Sequence, residues 1–393
     1  MKLETGLVVA LILFTGFAAV SCRRYTPEGE FEIRAVPGGG GVEITRYTGS
    51  RTRIRIPATV QNLPVVHIGE WSFADSRLTS VTIPYGVTHI FPRAFGDNSL
   101  SSVIIPASVT HIGARAFTDN RLTGIDIPEG VTYIGEWAFA NNRITGVVIP
   151  EGVAYMGRSV FVNNQLTNVT LPYGITVIGN SLFSGNLLTE IVIPESVRYI
   201  DGWAFTGNLL TGIAIPYGVT YIGDWAFRDN LLTSVSIPDS VTHIGEWAFA
   251  GNRLADVAIP DGITHLGDWA FAGNELASVN IPAGPGFVPW GAFAYNELTA
   301  VTIPAGIAFV DGWAFSNNRL TEVTFEGGLL RHIGDRAFAG NRLTSITIPS
   351  GMISVGSMVF AYNDGLTEAR VPYSVTHIGG RAFGDAEVTR THD

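Results

Sequence analysis

A phenylalanine that returns every 22 or 23 residues constrains this chain more than any other feature of its sequence. Proline, asparagine and glycine recur with the same period. The phenylalanine column runs Phe73, Phe95, Phe117, Phe139, Phe161, Phe183, Phe205, Phe227, Phe249, Phe271, Phe293, Phe315, Phe338, Phe360 and Phe383. A unit of this length cannot bury its apolar side chains alone, so neighbouring units must stack on one another. We therefore predict one long rod of stacked coils rather than two or three globular domains.

Each unit holds a strand and a tight turn. Val235 and Ile237 alternate with small polar residues, which predicts a strand with one buried face, and Pro238 ends it because proline lacks the N–H that the ladder needs. Thirteen asparagines, the first Asn98 and the last Asn363, stand three residues after the phenylalanines. Their side-chain amides are predicted to bond the turn backbone of their own coil and of the adjacent coil.

Composition excludes several classes of protein. The chain is 46% hydrophobic and 15% charged, which excludes disorder. Its formal net charge is -10 and its basic residues form no run, so it lacks the electrostatic footprint of a nucleic-acid partner. The single cysteine, Cys22, excludes an internal disulfide and a cysteine-built zinc site.

The first 21 residues are predicted to be an export signal. Lys2 precedes an apolar run over residues 7–19, which has signal-peptide length and is too short to span a hydrocarbon core of roughly 30 Å. Cys22 follows, in an arrangement that resembles the box of bacterial lipoproteins, whose thiol is acylated. Acyl chains would attach the protein to a membrane without a spanning helix. The alternative is a plain secretory signal with an incidental thiol.

The repeat L-x-x-V-x-I-P-x-x-V-T-x-I-G-x-x-A-F-x-x-N resembles the BspA-like, treponemal class of leucine-rich repeats found on bacterial surface proteins. Residues 31–73 are similar to the way such arrays begin, so the resemblance covers nearly all of the chain after the signal. Most units here have 22 residues rather than 23, and no cysteine replaces the asparagine. The resemblance implies attachment to host extracellular matrix, to epithelial components or to other bacteria.

The predicted fold is thus a β-rich solenoid of the leucine-rich repeat type, with about 14 coils of 22 to 23 residues. Residues 1–21 form the lipoprotein signal peptide, and residues 22–62 form an N-terminal cap with a hairpin whose turn is the glycine run at 38–41. The solenoid covers residues 63–384. Residues 385–393 form a polar tail that covers little of the last coil, so this coil is a candidate for packing against a second copy of the chain.

No catalytic constellation is present in the sequence. It has no G-x-S-x-G elbow, no phosphate-binding loop and no H-E-x-x-H motif, and seven of the eight histidines occupy one repeat column rather than a single site. We therefore predict a protein that is not an enzyme and that binds no cofactor and no metal. A metal held between His243 and His265, which adjacent coils bring near one another, is the minor alternative.

Tryptophan marks the candidate binding site. Seven of the eight tryptophans stand two residues before a phenylalanine, in a column that elsewhere holds arginine, so the column faces solvent at least in part. Four consecutive coils combine this column with a tyrosine and histidine column, beside Asp224, Glu246 and Asp268. We call these eight residues the aromatic stripe: Trp203, Trp225, Trp247, Trp269, Tyr199, Tyr221, His243 and His265.

Two interpretations of the aromatic stripe remain open. The rings stack on one another and stabilise the rod, or they form a binding surface, since tryptophan and tyrosine dominate interface hot spots. Replacing Trp225 and Trp247 by alanine would separate the two. The strand side ranks second as a binding surface because its outward residues, such as Ser236, Ala258 and Asn280, are small.

Two functions follow as hypotheses. The first is an adhesin-like protein, exported and lipid-anchored at the outer membrane or cell surface, that recognises a host or bacterial surface protein or glycan, such as an extracellular-matrix component. The second is a structural rod on the periplasmic side or in the envelope that associates with itself and has no host ligand.

Overall fold

Each repeat folds as one coil of a β-solenoid, and the computed structural model, which describes residues 25–392, shows about 16 such turns with little helix. The predicted signal peptide and Cys22 lie outside the described residues. One 3-10 turn, Glu28–Glu30, precedes the first strand. No helix within residues 25–392 has the length and apolar character that crossing a membrane would require.

One side of the solenoid, the aromatic face, is built from short strands that carry the histidine and tyrosine column. Within each sheet, the strands from β5 onwards pair in parallel with the equivalent strand of the adjacent coil. The first sheet contains β1 (Phe31–Ala35), β2 (Val42–Tyr47), β4 (Thr59–Val60), β5 (Leu63–Ile68), β7 (His89–Ile90), β9 (His111–Ile112), β10 (Tyr133–Ile134) and β12 (Tyr155–Met156). The second contains β14 (Val177–Ile178), β15 (Tyr199–Ile200), β17 (Tyr221–Ile222), β19 (His243–Ile244) and β20 (His265–Leu266). The third contains β21 (Phe287–Val288), β23 (Phe309–Val310), β25 (His332–Ile333), β27 (Ser354–Val355) and β29 (His377–Ile378).

The other side, the sheet face, is built from the strands that lead to the proline column. These strands form parallel groups of two or three. They are β3 (Arg53–Arg55), β6 (Ser80–Thr82) and β8 (Val103–Ile104); β11 (Gly146–Val148) and β13 (Asn168–Thr170); β16 (Gly212–Ala214) and β18 (Ser234–Ser236); β22 (Ala300–Ile303) and β24 (Glu322–Phe325); and β26 (Ser345–Thr347), β28 (Glu368–Pro372) and β30 (Glu387–Thr391).

The core between the two faces is a continuous stack of phenylalanine rings. Adjacent rings of the column from Phe73 to Phe383 lie 5.0 to 6.1 Å apart, centroid to centroid, and are nearly parallel. Phe227, for example, is fully buried between Phe205 and Phe249. Each ring is therefore covered by its neighbours in the two adjacent coils, as the stacking of short units requires.

The asparagine ladder is present as predicted. The Nδ2 of Asn230 donates to the main-chain carbonyls of Phe227 in its own coil and Phe205 in the preceding coil, at 3.0 and 2.9 Å. Its Oδ1 accepts the N–H of Leu210 at 3.1 Å. One buried amide thus pairs with main-chain N–H and carbonyl groups of two coils. Such groups are costly to leave unpaired when they are buried.

Both ends of the chain differ from the prediction. The capping hairpin of β1 and β2 is present, but β2 also pairs in parallel with β5, and β3 pairs with β6, so residues 42–62 already form a coil. The predicted polar tail is wrong for residues 387–391, which form β30 in parallel with β28. The pairing with β30 gives hydrogen-bond partners to the main-chain groups on the outer edge of β28. These additions explain why the structure has about 16 turns rather than about 14.

Candidate interaction surfaces

The structure brings the four tryptophans of the aromatic stripe into one stack. The ring centroids of Trp203 and Trp225 are 5.9 Å apart, those of Trp225 and Trp247 are 5.6 Å apart, and those of Trp247 and Trp269 are 5.0 Å apart. These are offset-stacking distances, worth roughly 0.5 to 1.5 kcal/mol for each pair. Trp225, Trp247 and Trp269 are partly buried, and Trp203 at the end of the stack is 41% exposed.

Arginine takes part in the same stacking, which explains why it shares the column with tryptophan. The guanidinium carbon of Arg93 lies 4.4 Å from the ring centroid of Trp71 in the adjacent coil. Equivalent pairs join Arg115 to Trp137 and Arg336 to Trp313. A planar cation over an indole gives a favourable contact in place of a second indole.

Arg228 adds a cation to the centre of the stripe. Its guanidinium carbon lies 3.7 Å from the ring centroid of Trp225 and 4.7 Å from that of Trp247, while its Nε pairs with Asp229 at 3.2 Å. The indole faces of Trp225 and Trp247 are therefore covered by other indoles or by the guanidinium of Arg228.

Every tryptophan of the stripe has a left-handed backbone. Their φ angles lie between 56° and 62°, a region that bulky residues rarely adopt. The surrounding main chain holds this conformation: the N–H of Trp225 donates to the carbonyl of Glu246 at 2.8 Å, and that of Phe227 donates to Ala248 at 2.8 Å. The stacking of large side chains thus coincides with local strain, which the network of hydrogen bonds between coils maintains.

The tyrosine and histidine column also stacks. The rings of Tyr221 and His243 lie 4.4 Å apart and those of His243 and His265 lie 4.1 Å apart, whereas Tyr199 and Tyr221 are 6.4 Å apart and tilted. Burial lowers the pKa of His243, the neighbouring His265 lowers it further, and Asp224 acts in the opposite direction. Burial also raises the pKa of Tyr221.

A second stack of histidines, which the sequence analysis did not single out as a site, lies near the N-terminus. The ring of His89 is 4.9 Å from that of His67 and 4.4 Å from that of His111. Burial lowers the pKa values of His67 and His89. Within residues 25–392, no group of three or more histidine, cysteine, aspartate or glutamate side chains has the arrangement of a metal site.

The sheet face carries apolar side chains that are much more exposed than the aromatic stripe. The column that holds Ser236, Ala258 and Asn280 has aliphatic residues at Ile104, Val148 and Val192. In the same part of the rod, Tyr85, Tyr173 and Tyr217 each follow the proline of a coil. These six side chains are between 62 and 84% exposed. We call them the sheet patch: Tyr85, Ile104, Val148, Tyr173, Val192 and Tyr217.

The sheet patch spans the coils from Tyr85 to Tyr217, six coil steps or roughly 29 Å at one strand spacing per coil. The patch residues on the strands project away from the core, because their neighbours in the sequence, such as Val103 and Ile105 beside Ile104, are buried. Exposed apolar side chains gathered on one face are typical of a surface that a partner covers.

The model of the BspA-type leucine-rich repeat region matches residues 66–189, 176–289 and 286–392. This chain belongs to the BspA-type leucine-rich repeat family. The membership agrees with the predicted repeat and with the observed solenoid.

Solved structures support the fold. A leucine-rich repeat protein from Bacteroides ovatus is 24% identical over 92% of this chain and 98% of its own, with a TM-score of 0.65. A leucine-rich cell surface protein from Faecalibacterium prausnitzii is 25% identical over the same shares, with a TM-score of 0.55. No curated protein sequence matches the chain.

Proposed function

We propose that this BspA-type repeat protein is an exported, lipid-anchored adhesin-like protein that binds a host or bacterial surface protein or glycan through its sheet patch. The observation that carries the proposal is the exposure of Ile104 and Val148 on outward strand positions and of Val192 at the equivalent position of another coil, with tyrosines in the adjoining turns. Covering a Val or Ile side chain in an interface is worth roughly 1.5 to 3 kcal/mol, which makes these residues suitable anchors.

The aromatic stripe is the second proposed contact surface. A partner would gain less there, because the faces of Trp225 and Trp247 already lie against other rings and against Arg228. Its ring edges and the carboxylates of Asp224 and Glu246 are still available for hydrogen bonds and polar contacts at the rim of an interface. We therefore rank the sheet patch first.

Adhesion of whole cells tests the proposed binding surface. Non-adherent bacteria that display the full chain are expected to attach to an immobilised extracellular-matrix preparation or to epithelial cells. Replacing Ile104, Val148 and Val192 by aspartate should reduce attachment at least tenfold, because three buried carboxylates would have no partner in the interface. The control variant replaces Ser236, Ala258 and Thr302, which stand in the same column, by aspartate and should attach like the unmodified protein.

The anchor has its own test. Radiolabelled palmitate should be incorporated into the unmodified protein and not into Cys22→Ala. Protease added to intact cells should digest the solenoid if it faces outward, whereas protection would place it on the periplasmic side and favour the structural alternative.

The alternative function, a self-associating rod, has one observation in its favour. The last coil presents β29, with both His377 and Ile378 exposed, and β30 is the edge strand of its sheet. Edge strands pair readily with other strands. Light scattering of the full chain would detect a mass that rises with concentration if this function is correct, and a constant monomer mass if the protein only binds other partners.

A further inference from the structure

Charge is distributed unevenly along the rod. Residues 22–55 hold seven arginines against four glutamates, a net charge of +3, whereas residues 56–393 hold 16 arginines against 29 acidic residues, a net charge of -13. The chain as a whole is acidic, with a formal charge of -10. Its N-terminal end is therefore the part of the rod that attracts an anion.

Three of these arginines line one cavity at that end. The cavity has a volume of about 610 Å³ and is lined by three guanidinium groups and three hydroxyl groups, those of Arg51, Arg53, Arg55, Thr26, Ser80 and Thr82. No carboxylate of the described residues is part of the lining. We call this cavity the arginine pocket, and its lining is complementary in charge to an anion.

The fold holds the arginine pocket in place from two sides. Ile54, in the middle of β3, is 3% exposed, so Arg53 and Arg55 on either side of it project away from the core. One edge of β3 pairs with β6. At the other edge, the N–H of Thr26 donates to the carbonyl of Arg55 at 3.0 Å, and the N–H of Arg55 donates to the Oγ1 of Thr26 at 2.9 Å. The pocket is thus built on main chain that hydrogen bonds fix.

The three guanidinium groups have different surroundings. The Nε of Arg51 pairs with Glu30 at 3.0 Å, and the guanidinium carbon of Arg55 lies 5.3 Å from the ring centroid of Tyr25. Arg53 is exposed, and its side chain forms no hydrogen bond or ion pair with any described residue. The planar fork of a guanidinium matches two oxygens of a phosphate. All the donors of Arg53 are therefore available to such a ligand.

The position of the arginine pocket in the chain indicates where the anion comes from. Tyr25 follows Cys22 by three residues, which span at most roughly 11 Å. With acyl chains of Cys22 in a membrane, the pocket lies about one Debye length from the lipid headgroups. Arg23 and Arg24, between these two residues, add two more cations. Tyr25 itself is 57% exposed, and tyrosine is enriched where membranes meet water.

We propose that the arginine pocket binds the phosphate group of an anionic membrane lipid beside the acyl anchor. Arg53 contacts the phosphate through its free fork, and the charge of Arg55 and the hydroxyl groups of the pocket support that contact. This site rests on the lipid anchor of the proposed function. The same lipids repel the acidic remainder of the rod, so the contact directs the rod away from the membrane and leaves the sheet patch accessible to a partner.

Cosedimentation with lipid vesicles tests the lipid site without the acyl group. The protein is the chain from residue 22 onwards with Cys22→Ala, which contains every described coil and no cysteine. We expect it to sediment with vesicles of equal parts phosphatidylglycerol and phosphatidylcholine, and at least tenfold more weakly with phosphatidylcholine alone. Raising the salt from about 50 to about 500 mM should release it, because salt screens the attraction between exposed charges.

Two arginine variants locate the lipid site. Arg53→Gln should weaken binding to the anionic vesicles about fivefold, the contribution of one basic residue near an anionic surface. Arg342→Gln is the matched control, because Arg342 is also exposed and its side chain also has no partner among the described residues, but it stands near the C-terminal end of the rod. The control removes the same charge and should change binding less than about twofold.

Four outcomes would overturn the lipid site. These are equal binding to the two kinds of vesicle, equal effects of the two variants, retention on heparin without vesicle binding, and binding of soluble glycerol phosphate as tight as binding to the vesicles. The third would assign the pocket to a sulfated glycan and the fourth to a soluble ligand. Palmitate labelling tests the anchor separately: a labelled protein whose Cys22→Ala form does not bind anionic vesicles would retain the anchor and lose the lipid site.

Discussion

On the aromatic face, Trp247 is stacked between Trp225 and Trp269 and lies beside the guanidinium of Arg228. On the sheet face, Val192 and Tyr173 are each 84% exposed. Both regions place large apolar side chains on the outside of the rod. The difference is that the stripe recurs in consecutive coils and its side chains cover one another, whereas the aliphatic residues of the patch interrupt a column of small or polar residues.

This difference indicates where function lies in a repeat protein. A side chain that recurs finds its own copy about one strand spacing away, and stacking on that copy is the first use of its surface. A large side chain that appears in a column of small ones has no such partner within the rod. The exceptions to the repeat are therefore better candidates for binding than its most regular aromatic column.

The largest effect on stability is expected for the asparagine ladder, where every polar group has a partner. Asn230→Ala should lower the free energy of unfolding by about 3 kcal/mol or more, because it leaves buried N–H and carbonyl groups of two coils unpaired. Urea denaturation measures the change. Asn163→Gly is the control. The side chain of Asn163 is exposed and donates to Asn141, and glycine occupies the same column at 185 and 207, so the loss of this side chain should cost less than about 0.5 kcal/mol.

The next effect tests whether the aromatic stripe is part of the scaffold. Trp247→Ala should lower the free energy of unfolding by about 2 kcal/mol, since two ring contacts and part of the Arg228 contact disappear. Trp247→Gly should be more stable than Trp247→Ala by about 1 kcal/mol, because glycine adopts the φ of 56° without steric cost. An alanine variant as stable as the unmodified protein would show that the stripe does not support the fold.

A smaller effect is expected for the sheet patch. Val192→Asp should change the free energy of unfolding by less than about 0.5 kcal/mol, because the side chain is exposed and Asp126 stands in the same column. A loss above about 2 kcal/mol in urea denaturation would mean that the patch packs against the rod, and the comparison between the two regions would fail.

The smallest effect is the pH dependence of the stacked histidines. The pKa values of His67, His89 and His243 are lowered in the folded chain, so the unfolded chain binds more protons below its histidine pKa of about 6.5. The free energy of unfolding should therefore fall as pH decreases from 7 through 6. His89→Tyr introduces a tyrosine, the residue that stands at position 133 of the same column. This variant should lose less stability on acidification, so its drop in Tm between pH 7 and 5.5 should be smaller by on the order of one degree. An unchanged slope would exclude His89 as a source.

The repeat itself could be predicted from the sequence, because each column has a local physical cause. Phe227, Asn230 and Pro238 serve the same purpose in every coil, so their spacing alone indicates the solenoid and its buried amides. The sequence also indicated that arginine and tryptophan share an outward column, although not that the arginines stack on the tryptophans of adjacent coils.

The sheet patch could not be predicted in the same way. Ile104, Val148 and Val192 are aliphatic residues in an outward column, but the small residues of the same column, such as Ser236, Ala258 and Asn280, predict a surface without anchors. The break in the aromatic face between β12 and β14 depends on the distance between two coils, and no proline or other local pattern marks it. The coil formed by residues 42–62 depends on the pairing of β2 with β5 and of β3 with β6, strands that are separated in the sequence.

Adhesion and unfolding measured on the same two sets of variants test the central claim most directly. The first set replaces Ile104, Val148 and Val192 by aspartate, and the second replaces Trp225 and Trp247 by alanine. We predict that the first set loses adhesion at least tenfold with an unchanged urea midpoint, whereas the second loses several kcal/mol of stability and, where folded, still adheres. Loss of adhesion in the tryptophan variant with an unchanged midpoint, together with full adhesion of the aspartate variant, would contradict it and assign binding to the aromatic stripe.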